Sequence, residues 1–178
     1  MRKIAVILLA VLLLCGCAAG TPVTTAPETA AETTGAKTMA PDFVFLDADG
    51  KECRLFDFHG KPIVLNFWAS WCGPCKRELP DFQDAYDKWK DDVHFLIVNL
   101  ADGRSETVES AKKFLSDNDY HFPAYFDTKD YSYSVYGVTS IPTTFFINSE
   151  GYLEAYASGM IDGELLQQGI DMILPKNE

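Results

Sequence analysis

Positive charge is scarce in this sequence. Of 178 residues, 15 are lysine or arginine and 26 are aspartate or glutamate, which gives a formal net charge of −11. Proteins that hold nucleic acid or anionic lipid headgroups by electrostatics present a surplus of basic residues. The charge balance therefore argues against nucleic acid as a partner and against electrostatic docking on an anionic membrane.

Histidine and cysteine, which build most zinc sites, are also few. The chain has three histidines and five cysteines, and only Cys72 and Cys75 form a close pair beyond the N-terminus. A four-ligand zinc site needs a second such pair, or two histidines at ligand spacing, and the sequence has neither. We therefore predict no metal site.

Long apolar runs are missing as well. The N-terminal run, Ile4 to Leu14, has eleven residues, whereas a transmembrane helix needs about 20. Arg2 and Lys3 precede this run, an order that is typical of a secretory signal peptide. The run ends in the letters LCGC, which resemble the lipobox of bacterial lipoproteins.

The lipobox resemblance implies cleavage after Gly16 and a lipid on Cys17. Residues 1–16 are then a signal peptide, and the lipid holds the mature protein at the extracytoplasmic face of the cell membrane. The alternative is an ordinary signal peptide whose cysteines are incidental.

Aromatic residues are absent from the segment that follows. Ala18 to Ala40 has seven threonines, two prolines and no aromatic residue. Such a segment buries too little apolar surface to offset the entropy of ordering it. We therefore predict that residues 17–40 are the lipidated cysteine and a flexible Thr/Ala/Pro tether, followed by one domain over residues 41–178.

In the domain, apolar runs alternate with amphipathic segments, which predicts an α/β fold. The runs that indicate strands are Pro62–Trp68, Val93–Leu100, Thr143–Asn148 and Tyr152–Ser158, after a hairpin at Asp49-Gly50, and Phe122–Phe126 indicates a short strand or an extended link. Apolar residues at helical spacing indicate helices at Pro74–Lys90, Ser105–Ser116 and Ile161–Leu174. This order predicts a mixed sheet with helices on both faces.

The two close cysteines stand between a predicted strand and a predicted helix. A structural disulfide there closes a very short loop, where a crosslink stabilises least. Cys72 falls instead at the helix N-terminus, whose free N–H groups and dipole favour a thiolate, and Cys75 lies one turn further on. This placement favours redox chemistry, with an attacking thiol and a shielded resolving thiol, over a structural staple.

Two stretches, VLNFWASWCGPCKRELP and YGVTSIPTTFFINSEG, resemble the thioredoxin superfamily. More narrowly, they resemble the TlpA/ResA-like extracytoplasmic thiol-disulfide oxidoreductases, and the resemblance covers Pro41 to Leu174. It implies a thioredoxin-like fold with an N-terminal β-hairpin extension. It also implies an enzyme that exchanges dithiols for disulfides with no cofactor beyond its own cysteines.

The resemblance implies roles for single residues. Cys72 is the nucleophile, Cys75 resolves the mixed disulfide, and Ile141-Pro142 corresponds to the family's cis-proline loop. The residues implied to contact substrate are Trp71, Gly73, Pro74, Ile141 and Pro142. The alternative for Pro142 is an ordinary trans proline at the start of a strand.

The sequence departs from cytoplasmic thioredoxins at Asn66, where those proteins typically have a buried aspartate that moves protons. Glu78 shares a predicted helix face with Cys75 and matches an acidic residue of the ResA-like branch, so we predict that it accepts the proton of Cys75. The alternative is an ordinary exposed glutamate. Cys53 alternates with Leu55 in the early hairpin, and we expect it to point inward as a small apolar residue rather than to react.

The dipeptide Gly73-Pro74 is that of reducing thioredoxins, whose potential is about −270 mV against about −120 mV for the oxidant DsbA. The resemblance therefore implies a reductase of envelope disulfides. Its substrates would include apocytochrome c, during cytochrome c biogenesis, or oxidised methionine sulfoxide reductases. Its electrons would come from a membrane donor of the DsbD or CcdA type.

Two other functions stay open at this point. The opening PDFVFLDADGK also resembles peroxiredoxins, although those have threonine where this chain has Ala69, three residues before Cys72. The second is a non-catalytic copper-binding module, although copper carriers use wider cysteine spacing and a histidine.

Overall fold

In the residues that the structure describes, 32–175 of a computed structural model, eight strands form one mixed sheet. The strands are β1 (Glu32–Met39), β2 (Val44–Leu46), β3 (Glu52–Arg54), β4 (Ile63–Trp68), β5 (His94–Leu100), β6 (Ala124–Asp127), β7 (Thr143–Ile147) and β8 (Tyr152–Ser158). The helices are α1 (Gly73–Trp89), α2 (Val108–Asp117), α3 (Tyr131–Tyr136) and α4 (Gly163–Ile173), and a 3-10 turn spans Leu55–Phe58.

Strand β4 lies in the middle of the sheet, whose order is β1-β8-β7-β4-β5-β6-β2-β3. It pairs in parallel with β5 and antiparallel with β7, and all of its side chains are buried. A strand that is covered on both faces needs such a nearly continuous apolar run. The prediction of a buried central strand here is confirmed.

Side chains that alternate along β4 enter two separate cores, because successive side chains of a strand point to opposite faces. Val64 and Trp68 pack in the core that α1, α2 and α4 cover. Leu65 and Phe67 pack in the core that the 3-10 turn and α3 cover. The predicted fold class, a mixed sheet with helices on both faces, is confirmed.

Helices α1 and α4 lie within a few residues of their predicted bounds. Leu79 and Phe82 of α1 are fully buried, as their helical spacing predicts. Helix α4 begins two residues later than predicted, at Gly163. Its start is set by Asp162, whose side chain accepts a hydrogen bond from Leu165 N at 3.0 Å and so caps the helix.

Helix α2 begins three residues later than predicted, at Val108, and the reason is local. One carboxylate oxygen of Asp102 accepts hydrogen bonds from three successive backbone N–H groups, those of Arg104, Ser105 and Glu106, at 2.8, 2.8 and 3.0 Å. These N–H groups are satisfied in a turn, so the helix starts only after them, with Thr107 as its N-cap.

Strand β1 corrects the predicted tether. We predict a flexible tether through residue 40, but Glu32–Met39 pair antiparallel with β8. The edge of β8 offers backbone N–H and C=O groups, and a segment can pair with them without burying apolar side chains. The tether prediction is therefore wrong for Glu32–Met39.

Residues 1–31, which include the predicted signal peptide and Cys17, lie outside the described residues. The predictions made for them stay predictions. Among residues 32–175, no helix is long and apolar enough to cross a membrane.

Helix α3 is an element that the sequence analysis does not predict. It has six residues, three of them tyrosine, so neither its length nor its composition is typical of a helix. Its ends are set by left-handed residues, Asp130 with φ of 55° and Gly137 with φ of 64°. Packing of Tyr131, Val135 and Tyr136 against the second core stabilises it.

Candidate active site

Cys72 lies where β4 gives way to α1. A short loop, Ala69 to Trp71, follows the strand, and Cys72 is the N-cap of the helix with Pro74 in the first turn. A proline there fits because the first N–H groups of a helix have no intrahelical partner. The sequence pattern thus places the first cysteine at the open end of the helix, as predicted.

Cys72 and Cys75 form a disulfide in this structure. Backbone N–H of Cys75 donates to Cys72 Sγ across 3.2 Å. Cys72 is 4% exposed and Cys75 is fully buried. When the pair is reduced, the same N–H group and the positive end of the helix dipole favour the thiolate of Cys72.

The loop before β7 faces the cysteines. The Ile141-Pro142 peptide bond is cis, so the trans alternative is wrong, and Ile141 O lies 3.7 Å from Cys72 Sγ. Two hydrogen bonds hold the loop: Thr143 Oγ1 donates to Ser140 O at 2.8 Å, and Gly159 N donates to Pro142 O at 2.8 Å. The backbone of Ile141 is therefore held beside Cys72 Sγ.

Trp71 is 57% exposed, directly before Cys72. Its ring lines a surface groove of about 290 Å³, whose walls are Trp71, Leu100, Val138, Thr139, Ser140 and Ile141. Pro74 is exposed and Gly73 half-buried at the start of α1. Of the residues predicted to contact substrate, Trp71 and Ile141 thus line the groove, whereas Pro142 is buried.

Glu78 is buried, with 1% of its surface exposed, so the alternative of an exposed glutamate is wrong. Its Oε1 accepts a hydrogen bond from Asn66 Nδ2 at 2.9 Å, and its Oε2 accepts one from Ile161 N at 3.1 Å. Burial, only partly offset by these hydrogen bonds, raises the pKa of Glu78 to about 7. A carboxyl group with that pKa exchanges protons readily near neutral pH.

Asn66 is the partner of Glu78 that the sequence analysis does not assign. Its Nδ2 also donates to Thr144 Oγ1, at 3.0 Å, which ties β4 to β7 beneath α1. Asn66 and Trp68 share this face of β4 because they are two residues apart in a strand. The buried carboxyl group three residues after Cys75 therefore comes from α1, and β4 supplies an amide that holds it.

Glu106 is a second buried carboxyl group that the sequence analysis does not identify. It is 1% exposed and lies just before the N-cap of α2. Its Oε2 accepts a hydrogen bond from Ser70 N, in the loop before Cys72, at 2.6 Å. The contact joins residues 36 positions apart, and no sequence spacing points to it.

Trp68, the last residue of β4, is fully buried in the core that α1, α2 and α4 cover. Within the part of the chain that the structure describes, its Nε1 has no hydrogen-bond partner, and neither has the side-chain amide of Asn99. The two residues pair across β4 and β5. Among the described residues Oδ1 of Asn66 also has no partner, so strands β4 and β5 keep three side chains with unsatisfied buried polar atoms.

Cys53 lies on the edge strand β3, four positions from β4 in the sheet. It is half-buried and packs against the second core, so the expected inward orientation is only partly realised. Burial, with a smaller contribution from the charge of Asp47, raises the pKa of its thiol. Its Sγ lies 3.8 Å from Lys51 O.

The chain is similar in sequence to known proteins. The model of the AhpC/TSA family matches residues 36–156. The thiol-disulfide oxidoreductase ResA of Geobacillus thermodenitrificans is 36% identical over 137 residues, which are 76% of each chain.

Two solved structures are also similar. A putative thiol:disulfide interchange protein DsbE from Chlorobium tepidum has a TM-score of 0.70 and 33% identity over 78% of this chain and 97% of its own. The pneumococcal exposed lipoprotein thioredoxin of Streptococcus pneumoniae has a TM-score of 0.63 and 34% identity over 74% of this chain and 99% of its own. The predicted thioredoxin-like fold is confirmed.

Proposed function

Because this chain belongs to the AhpC/TSA family and is a thiol-disulfide oxidoreductase of the ResA type, we propose that it reduces protein disulfides outside the cytoplasm. The observation that carries the proposal is the position of Cys72 at the N-cap of α1, with Cys75 N–H on its sulfur and Ile141 O 3.7 Å away. A sulfur so placed is activated by the helix, and two of its neighbours, Trp71 and Ile141, line the groove.

The first step is attack by the Cys72 thiolate on one sulfur of a substrate disulfide. The S–S bond of the substrate breaks, a Cys72–substrate disulfide forms, and the second substrate sulfur leaves as a thiolate that takes a proton from solvent. The N–H of Cys75 and the helix dipole stabilise the attacking anion and so lower the fraction of inert thiol.

The second step releases the substrate. Cys75 gives its proton to Glu78, and the resulting thiolate attacks Cys72 Sγ, which forms the Cys72–Cys75 disulfide and frees the remaining substrate thiolate. The substrate has gained two electrons and the enzyme has lost two. Glu78 suits this role because a pKa of about 7 leaves much of it ionised and ready to accept a proton at neutral pH.

The substrate is an extended polypeptide that lies along the groove. Trp71 supplies an exposed aromatic surface, and Ile141 supplies a backbone beside Cys72. Main-chain pairing of this kind gives affinity with little dependence on sequence. Gly73 and Pro74 border the same sulfur and complete the contact surface.

The reducing direction rests on the Gly73-Pro74 dipeptide, and the compartment rests on the predicted lipid on Cys17. Similarity to a pneumococcal lipoprotein thioredoxin supports that anchor. Outside the cytoplasm the enzyme needs electrons from a membrane protein, and a DsbD- or CcdA-type donor suits a dithiol carrier. Oxidised apocytochrome c and oxidised methionine sulfoxide reductases are the substrates we propose.

Trapping tests the proposal. Cys75→Ser stops the reaction after the first step, so we expect envelope proteins to stay linked to Cys72 until dithiothreitol releases them. Cys72→Ser is the matched control and should capture nothing. Equal capture by the two variants, or none by Cys75→Ser, would contradict the proposal.

Three measurements separate the proposal from its alternatives. A reduction potential above about −150 mV would exclude a reductant, since reducing thioredoxins lie near about −270 mV. Peroxide consumption by the reduced protein would favour a thiol peroxidase. Tight Cu(I) binding without disulfide reduction would favour a copper-binding module.

A further inference from the structure

Glu106 takes no part in the two exchange steps, but its buried carboxylate contacts the loop that carries Trp71 and Cys72. Its Oε2 accepts from Ser70 N at 2.6 Å, and its Oε1 accepts from Ser110 Oγ at 2.5 Å. Both oxygens are thus engaged, one by the loop before α1 and one by the first turn of α2. The carboxylate bridges two elements that are distant in sequence.

The turn that carries Glu106 is itself held in place. Glu106 N donates to Asp102 Oδ1 at 3.0 Å, and Gly103 N donates to Glu106 O at 2.9 Å. Three N–H groups meet at Asp102 Oδ1 and lower the pKa of that carboxyl group, so the turn keeps its ionised anchor across the neutral pH range. Glu106 is therefore presented from a rigid support.

The loop that receives this hydrogen bond has few other fixed points. Ser70 is half-buried and Trp71 is exposed, and Cys72 N donates to Ala69 O at 3.1 Å within the loop. Ser70 N is bound by a charged acceptor, and such hydrogen bonds are roughly twice as strong as neutral ones. The bond to Glu106 ties the middle of the loop to the body of the domain.

We propose that Glu106 is a positioning residue of the dithiol site, which holds the backbone of Ser70 and thereby the orientations of Trp71 and Cys72. The inference rests on the proposed function and assigns α2 and its Asp102 turn a part in it. Misplacement of a reacting group by about 1 Å can cost about 100-fold in rate, so a single hydrogen bond at this point has a measurable effect.

Two substitutions distinguish the effect of where the Glu106 carboxylate lies from the effect of its charge. Glu106→Gln removes the charge but keeps the length: its Oε1 can accept from Ser70 N, and its Nε2 can donate to Ser110 Oγ. Glu106→Asp keeps the charge but is shorter by one methylene group, which withdraws the carboxylate from Ser70 N. Glu106→Ala removes both properties, and Glu109→Ala removes an exposed charge from the first turn of α2 as a control.

The measurements are the rate constant for reduction of a disulfide-containing peptide and the pH midpoint of Cys72 alkylation, read by tandem mass spectrometry. We expect Glu106→Ala and Glu106→Asp to lose at least ~10-fold in rate constant. Their alkylation midpoint should lie above that of Glu106→Gln by about half a pH unit or more. Glu106→Gln and Glu109→Ala should stay within ~3-fold of the wild-type rate constant.

The results distinguish the possible failures. Equal rate constants for the wild type, Glu106→Ala and Glu106→Asp would overturn the inference, and so would a loss in Glu106→Gln as large as that in Glu106→Ala. Ser110→Ala leaves the Ser70 bond intact, so a loss there that matches Glu106→Ala would assign the effect to α2 alone and also overturn it. A wild-type protein that reduces no peptide disulfide would defeat the proposed function itself.

Discussion

The described residues hold cysteines in two opposite environments. Cys72 lies at the N-terminus of α1, where a backbone N–H points at its sulfur from 3.2 Å. Cys53 lies on the edge strand β3, where the nearest polar contact of its sulfur is a carbonyl oxygen at 3.8 Å. A carbonyl oxygen also lies 3.7 Å from Cys72 Sγ, and Cys72 is the more buried of the two. The difference is therefore the N–H donor and the helix N-terminus at Cys72, which stabilise a thiolate, against the nearby charge of Asp47 at Cys53, which opposes it. We therefore expect Cys72 to be the more reactive of the two cysteines, because of where the backbone places each side chain.

The largest expected difference between the two cysteines is in the loss of activity when each one is replaced. Cys72→Ser removes the nucleophile, so disulfide reduction should fall at least ~1,000-fold, as expected when a covalent catalyst loses its attacking atom. Cys53→Ser should stay within ~2-fold of the wild type, because we give Cys53 no part in the reaction. Steady-state reduction of a peptide disulfide measures both, and a large loss in Cys53→Ser would remove the distinction.

The next largest effect concerns the proton of Cys75. Above a pH of about 7 Glu78 is mostly ionised, so the release of a trapped substrate should accelerate as the pH rises through that value. In Glu78→Gln the acceptor is lost, and release should slow by ~10–100-fold and lose its inflection near neutral pH. Stopped-flow kinetics of the mixed disulfide follow this step, and an unchanged pH profile would exclude the role of Glu78.

Alkylation of the reduced protein sharpens the comparison directly. At pH 7 the fraction of thiolate should be greater at Cys72 than at Cys53, whose pKa is raised by burial, so Cys72 should react with iodoacetamide at least ~10-fold faster. Peptide mapping by mass spectrometry gives both rates in one sample. Equal rates would show that the helix N-terminus does not activate Cys72.

The smallest effect is expected at the groove. Trp71→Ala removes the exposed ring beside Cys72, so we expect KM for a protein substrate to rise ~3–10-fold with kcat nearly unchanged, as for a loss of uniform binding. Phe56→Ala is the control, since Phe56 is also exposed (43%) but lies on the 3-10 turn. An equal rise in KM for both variants would mean that the groove is not the contact surface.

The elements that could be predicted from the sequence are those whose signals are local. The apolar run of β4, the helical spacing of α1 and the cysteine pair between them each act within about twenty residues. Helix α3 is missed because tyrosines at its positions are stabilised by packing against the second core and not by helix propensity. Strand β1 is missed because its partner is a backbone edge more than a hundred residues away.

The residues of the site also differ in how local their sequence signals are. Cys72 and Cys75 are apparent from their spacing and their place before a helix. Glu78 is a candidate from its helix face, but its burial depends on Ile161 N, 83 positions along the chain. Glu106 gives no signal, because its contact with Ser70 exists only after β4 and β5 have paired.

Strand β3 is a short edge strand of the sheet, and it is protected against pairing with other polypeptides. A protein that binds unfolded chains through main-chain pairing also risks capturing them along any open strand. Strand β3 has three residues, and two carry charges that are already engaged: Arg54 with Asp42, and Glu52 with Lys129 at 3.3 Å. A short edge strand with charged side chains makes it unfavourable for another polypeptide to pair with the sheet there. We therefore expect polypeptide substrates not to pair with β3, so that this edge of the sheet does not compete with the groove beside Cys72.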